Sequence, residues 1–244
     1  MLLKSLRALF QFTTILPLGA TTDFRCFSRR SWLYPAAGYL TGGIAGLLAA
    51  WIASPLLASG VAISLLILVT GANHFDGLLD LGDGLMAHGD RENRTRAMTD
   101  HRTGTGGIAL GMTVTLVAFA ALAGSPILWA AVIAAEVCAK FSMAFLTAYG
   151  IPFREGLHSR LHRDAKPWFP VAAALLCLPL VFLPLPPVVL AGAAGVMVLT
   201  PLFLLLLARK VFGGVNGDVV GASNEITRAL VLVVITILPV TAAF

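Results

Sequence analysis

The stretch from Ser31 to Phe75, SWLYPAAGYLTGGIAGLLAAWIASPLLASGVAISLLILVTGANHF, holds no Asp, Glu, Lys or Arg, and Ser54-Pro55 near its middle offers a turn. It is too long and apolar for one buried helix of a soluble domain and reads as two antiparallel membrane spans. The pattern recurs. Thr103 to Ala135 is again free of these charges, with Gly124-Ser125-Pro126 as the break, and the span after that break runs on to about Tyr149. Pro167 to Ala208 is interrupted at Pro184-Leu185-Pro186-Pro187, and a last span is expected from about Ser223 to Ala242. The expected fold is therefore all-α: a polytopic transmembrane helical bundle of about seven spans (six to eight), with residues 1–244 as a single integral membrane domain. Composition agrees, since 58% of the 244 residues are hydrophobic and 12% are charged, far from the average of a soluble domain.

Orientation follows from the basic residues. All 17 Lys and Arg except Lys140 fall in segments 1–32, 76–105, 151–168 and 209–228, which alternating spans place on one face. The hairpins near 55, 125 and 185 carry none, so the charged face is expected in the cytoplasm, with the N-terminus inside and the C-terminus outside the cell membrane. The same topology accounts for the formal charge of +5; no basic stripe is interleaved with aromatics, so nucleic acid is not expected as a partner. Lys4 and Arg7 ahead of Leu9 to Ala20 faintly resemble a signal peptide, but Gln11, Thr13 and Thr14 interrupt the apolar run, and an uncleaved interfacial helix fits better. Cys26, Cys138 and Cys177 are too few and scattered for a disulfide framework or a zinc site. Gly38, Gly42, Gly43 and Gly46 are read as close helix packing.

Chemistry is expected where polar residues meet the membrane. In His74-Phe75-Asp76-Gly77-Leu78-Leu79-Asp80-Leu81-Gly82-Asp83-Gly84 the carboxylates stand at i, i+4 and i+7. On a helix turning about 100° per residue they share a sector of roughly 60°. Three like charges near lipid repel and call for protonation or a cation, and oxygen-only ligands favour a hard ion such as Mg²⁺. The plainer reading is a solvated helix end with unpaired aspartates. His74 is either a packing residue or a hydrogen-bond partner. Downstream, Asp100-His101-Arg102-Thr103-Gly104-Thr105-Gly106-Gly107 opens a span: its free N–H groups and Arg102 could grip phosphate, and Asp100 could complete a metal shell. An ordinary helix cap explains the Gly-Thr run equally well. In Gly213-Gly214-Val215-Asn216-Gly217-Asp218, continuing to Asn224, Glu225 and Arg228, a surface loop is the expected state. If the segment is helical, Asp218 and Glu225 share a face that could meet the first aspartates. Glu136 and Lys140, an i, i+4 pair inside a span, are either functional or a structural ion pair. The loop Arg154 to Arg160 is a candidate substrate contact.

Three blocks carry a resemblance: His74 to Asp80 with Asp83-Gly84; Met98-Thr99-Asp100-His101-Arg102-Thr103-Gly104-Thr105-Gly106-Gly107; and Gly213 to Asp218 with Gly221-Ala222 and Glu225. In order and spacing they resemble the cobalamin synthase family, the adenosylcobinamide-GDP ribazoletransferases. The resemblance implies a Mg²⁺-dependent transfer in which α-ribazole or α-ribazole 5'-phosphate attacks adenosylcobinamide-GDP and releases GMP. It implies a metal site at Asp76, Asp80 and Asp83, with Asp100, Asp218 and Glu225 as further ligands. Arg102 and the turn Thr103, Gly104, Thr105, Gly106, with Lys140 and Asn216, would hold phosphate, and His74 would be the base for the ribazole hydroxyl. His101 stands where the family often has Ser, Arg228 where relatives commonly carry an acid, and Lys140 where Arg is familiar. The lipid bilayer and the two substrates are the expected partners; a homo-oligomer is left open. A CDP-alcohol-type phosphotransferase, whose Asp-Gly, Ala-Arg pattern is missing, and a cation transporter are the rival readings.

Overall fold

The computed structural model describes residues 2–238. Among the described residues the repeating structure is helical: α1 (Leu2–Thr13), α2 (Arg25–Ser28), α3 (Tyr34–Ala49), α4 (Pro55–Val69), α5 (Asn73–Met86), α6 (Arg91–Met98), α7 (Thr105–Ala123), α8 (Leu128–Tyr149), α9 (Leu157–Asp164), α10 (Phe169–Cys177, extended by a 3₁₀ turn to Phe182), α11 (Pro187–Val211) and α12 (Gly217–Ile237). Several starts are written locally. Ser54 accepts the Leu57 N–H with Pro55 in the first turn, Asp90 accepts from Asn93, and Asn216 accepts from Val219.

The helix α8 is the axis of the bundle, with 89% of its apolar window buried against 28% for α7. Lipid is as apolar as Leu, so helices associate through close packing rather than apolar burial, and small residues decide where. A Cβ at Gly38, Gly42 or Gly46 of α3 would lie 2.7, 2.9 or 2.9 Å from the backbone of α8, whereas one at Gly43 would meet nothing within 4 Å. Three of the four glycines thus form the packing seam expected of them. Outside, Val171, Leu175, Leu199, Phe203 and Leu206 are exposed, as a lipid-facing surface requires.

Among the described residues four helices (α7, α8, α11 and α12) are each long and apolar enough to cross a membrane, or up to six if each bent pair, α4 with α5 and α9 with α10, counts as one span. The upper figure meets the low end of the expected six to eight. With 16 residues α3 rises only about 24 Å against a hydrocarbon core of about 30 Å. The last helix also begins earlier than expected, at Gly217, so that of the anticipated surface loop Gly213 to Asn216 is a turn and the residues from Gly217 on are the first turns of α12. Residues 239–242 of the expected last span lie outside the described residues.

The bend between α4 and α5 is 92° and is made at Gly71 and Ala72, both left-handed at φ 62° and 57°. Turned this way, α5 runs across the first turns of α7 and α12 instead of through the bundle: Gly77 faces Asp218, and Gly82 faces Gly106 and Gly107. We therefore place α5 outside the spanning segments. The hairpins gather at the opposite end, where Gly124 meets Thr236 and Gly192 meets Leu238. At the charged end, the Val215 N–H donates to the Ile151 carbonyl at 2.9 Å and pins the segment before α9 to the start of α12.

Candidate active site

On α5 glycines and aspartates alternate in function. A Cβ at Gly77 or Gly82 would stand 2.7 Å from the backbone oxygen of Asp218 or Gly106. These glycines let α5 press onto the ends of α12 and α7, while Leu78 and Leu81 are buried beneath it. Asp76 is left exposed, and Asp80 and Asp83 half-buried.

The three carboxylates do different work. Asp83 accepts the N–H groups of Gly104 and Gly107, both at 2.7 Å, and so caps α7 from another helix. The N-terminus expected to receive a substrate phosphate is thus filled by a carboxylate of the chain itself, a consequence of the dipole logic that made it an anion site. Asp76 and Asp80 accept no side-chain hydrogen bond among the described residues. Burial, and then the neighbouring Asp218, Asp76 and Asp83, push the Asp80 carboxyl up to about 7, with Arg154 opposing. Across the gap on α12, Asp218 receives a hydrogen bond from Asn216 and faces Arg154 at 3.8 Å. Asp218 therefore does approach the first aspartates, as its helical face allowed.

Other expected members stand apart. Asp100 is exposed and accepts the Arg102 N–H at 3.1 Å in a local turn, and Arg102, Thr103 and Thr105 are exposed beside it. Glu225 and Lys140 are not in the acidic row at all. Two turns deeper, the buried Glu225 pairs with Arg228, Arg228 with Glu136 at 3.1 Å, and Lys140 with Asn224 at 2.7 Å and Glu136 at 3.6 Å. Thr41 of α3 closes the set with a 2.7 Å bond to Glu136. Two cations and two anions compensate one another in the bundle interior, where an unpaired charge would be most costly. Among the described residues no three His, Cys, Asp or Glu side chains converge into a ready-made metal cage.

Beside the Asp76–Asp218 end lies a cavity of about 500 Å³ bounded by α1, α3, α5, α8, α9 and α12. His74, 6% exposed, lines it, and its Nδ1 has no partner. Arg154 stands between cavity and carboxylates, touching Asp218. Sequence reading gave the loop Arg154 to Arg160, His158 included, only as a candidate substrate contact, and the pairing of Ile151 with Val215 brings that loop to the site.

The sequence model of the family described as cobalamin-5-phosphate synthase matches residues 5–236. Proteins named adenosylcobinamide-GDP ribazoletransferase are similar over nearly all of both chains. That of Methanocella arvoryzae is 35% identical, covering 95% of this chain and 94% of the relative. Those of Halorubrum lacusprofundi, 36% identical over 95% and 96%, and Pyrobaculum islandicum, 37% over 94% and 94%, behave alike. No solved structure matches the chain.

Proposed function

Because the chain belongs to the cobalamin-5-phosphate synthase family and is a transferase of cobalamin synthesis, we propose that it joins α-ribazole or α-ribazole 5'-phosphate to adenosylcobinamide-GDP with release of GMP, in a Mg²⁺-dependent reaction at the cytoplasmic face of the cell membrane. The observation that carries this reading is the pair of unpartnered carboxylates, Asp76 and Asp80, next to Asp218, with Arg154 as the cation beside them.

The donor set suits a hard cation. Mg²⁺ is usually held by one or two carboxylates, with its other positions left to water and substrate phosphate, so a three-residue cage is not required. Asp76, Asp80 and Asp218 would hold it, and when bound it would neutralise charge on the diphosphate. Arg154 would stabilise the phosphoryl oxygens, the role that had been expected of Arg102. The acceptor hydroxyl oxygen forms a bond to the phosphorus attached to cobinamide, the bond from that phosphorus to the GMP oxygen breaks, and GMP leaves. The hydroxyl proton goes to a base, for which the free Nδ1 of His74 is the candidate. The closed pairing of Glu136 and Lys140 favours this reading over a cation path through the bundle.

The test is GMP release by purified protein in liposomes, with both acceptor forms, with and without Mg²⁺, alongside Asp80→Asn. Metal-dependent turnover lost in the variant supports the reaction and the site. Absence of turnover from folded protein with either acceptor removes the assignment.

A further inference from the structure

The cavity beside the acidic row has two unlike halves. Tyr34, Met143, Leu161 and Val220 are buried, at 1 to 4% exposure, and give it an apolar floor. Arg154, Asn73, Gly156 and Gly217 are exposed and form a polar rim next to Asp218. Two histidines lie in its wall. The Nε2 of His158 is 2.8 Å from the Gly150 carbonyl oxygen, which can only accept, so Nε2 carries the proton and Nδ1 is left as an acceptor. That Nδ1 has no partner although His158 is 3% exposed, and the Nδ1 of His74 is in the same condition. Buried ring nitrogens without partners are costly, and a ligand hydroxyl, which both donates and accepts, would supply the missing bonds.

We propose that this cavity is the acceptor subsite: it takes a riboside with an apolar aromatic base, the base on the floor and the ribose hydroxyls turned to His158, His74 and the rim at Arg154. The inference rests on the reaction proposed above and assigns one of its two substrates a place. At about 500 Å³ the cavity suits one nucleoside-sized ligand. A corrinoid is far too large for it. A guanine base would turn its N–H and carbonyl edge to a floor where the side chains of Met143, Leu161 and Val220 offer no hydrogen-bond partner. Arg154 at the rim then stands where an attacking hydroxyl and a donor phosphate must meet.

Two glycines make the test clean. A Cβ at Gly156 or Gly217 meets nothing within 4 Å, so a larger side chain there enters the cavity without striking the backbone. In lipid nanodiscs, Gly217→Leu and Gly156→Leu should weaken equilibrium-dialysis binding of labelled α-ribazole, and raise its KM, about tenfold or more, while the KM for adenosylcobinamide-GDP stays within about twofold. His158→Gln keeps a donor for the Gly150 carbonyl but lacks the Nδ1 acceptor, and should raise the same KM about fivefold. Unchanged acceptor binding in both glycine variants overturns the inference. So does a rise confined to the donor, which would assign the cavity to guanosine. Wild-type protein that binds α-ribazole and loses it in Gly217→Leu, yet never releases GMP, would keep the subsite and sink the reaction. Turnover with unmoved acceptor constants would do the opposite.

Discussion

The buried charge network gives the sharpest stability prediction. Arg228 and Lys140 face Glu136 and Glu225, with side-chain exposures of 0 to 4%, so the interior holds two charges of each sign. Arg228→Met removes one cation. Glu136 keeps Lys140 at 3.6 Å and Thr41 at 2.7 Å, but Glu225 is left with Asn224 alone at 3.1 Å. Breaking a buried pair from one side typically costs about 3–5 kcal/mol, and that is the expected loss. Adding Glu225→Gln restores neutrality, so the double variant should recover about half of it or more, a coupling of about 2 kcal/mol. Equilibrium unfolding by SDS in mixed micelles, followed by circular dichroism on the four proteins of the cycle, reads these differences. If Arg228→Met costs less than about 1 kcal/mol, or the two changes add within about 0.5 kcal/mol, the pairs are not one network.

Other consequences follow from single contacts. Gly38→Leu should disrupt α3 on α8, where a Cβ already falls 2.7 Å from the Glu136 carbonyl, while Gly43→Leu, facing open space, should leave the unfolding midpoint unchanged; equal effects of the two would refute the seam. Asp83→Ala removes a double cap and should cost about 2 kcal/mol in the same assay, a loss Mg²⁺ does not restore. The raised Asp80 carboxyl binds its proton more tightly folded than unfolded, so without metal its contribution falls as pH rises from about 4 to about 7. Asp80→Asn should therefore raise the thermal midpoint in EDTA at pH 8 and leave it unchanged below pH 4, although the same variant is expected to lose turnover; a midpoint equal to wild type at pH 8 would show that the carboxyl is not destabilised.

Much of the architecture was legible in the chain. Hydrophobic runs and their Pro and Gly breaks gave all-α spans with hairpins at one end and charge at the other, because lipid forces each backbone to satisfy its own hydrogen bonds within a helix. The i, i+4, i+7 spacing of Asp76, Asp80 and Asp83 put them on one face, and the blocks around them carried the family. Gly213 to Asn216 is the turn that its glycines promised, but α12 starts at Gly217, earlier than expected, because the Asn216 cap and the packing of Gly221 on His74 are not written in the spacing. The count of spans, up to six against an expected six to eight, meets the low end of the range, because charge-free length does not reveal how short α3 and α4 are, at 16 and 15 residues.

Periodicity and hydropathy are properties of one segment, and they determined membrane class, helix content and the acidic face. The partition of charged residues was decided only in three dimensions. Asp83 became a cap because α7 begins within hydrogen-bond reach of it. Glu225 and Lys140 left the expected site because Arg228, an apparent departure from the family pattern, lies within reach of both acids in the interior. Arg154 and His158 gained the cavity because one backbone pairing, Val215 to Ile151, carries their loop to the start of α12. Each outcome depends on distances between segments far apart in the chain, which spacing along one segment does not encode.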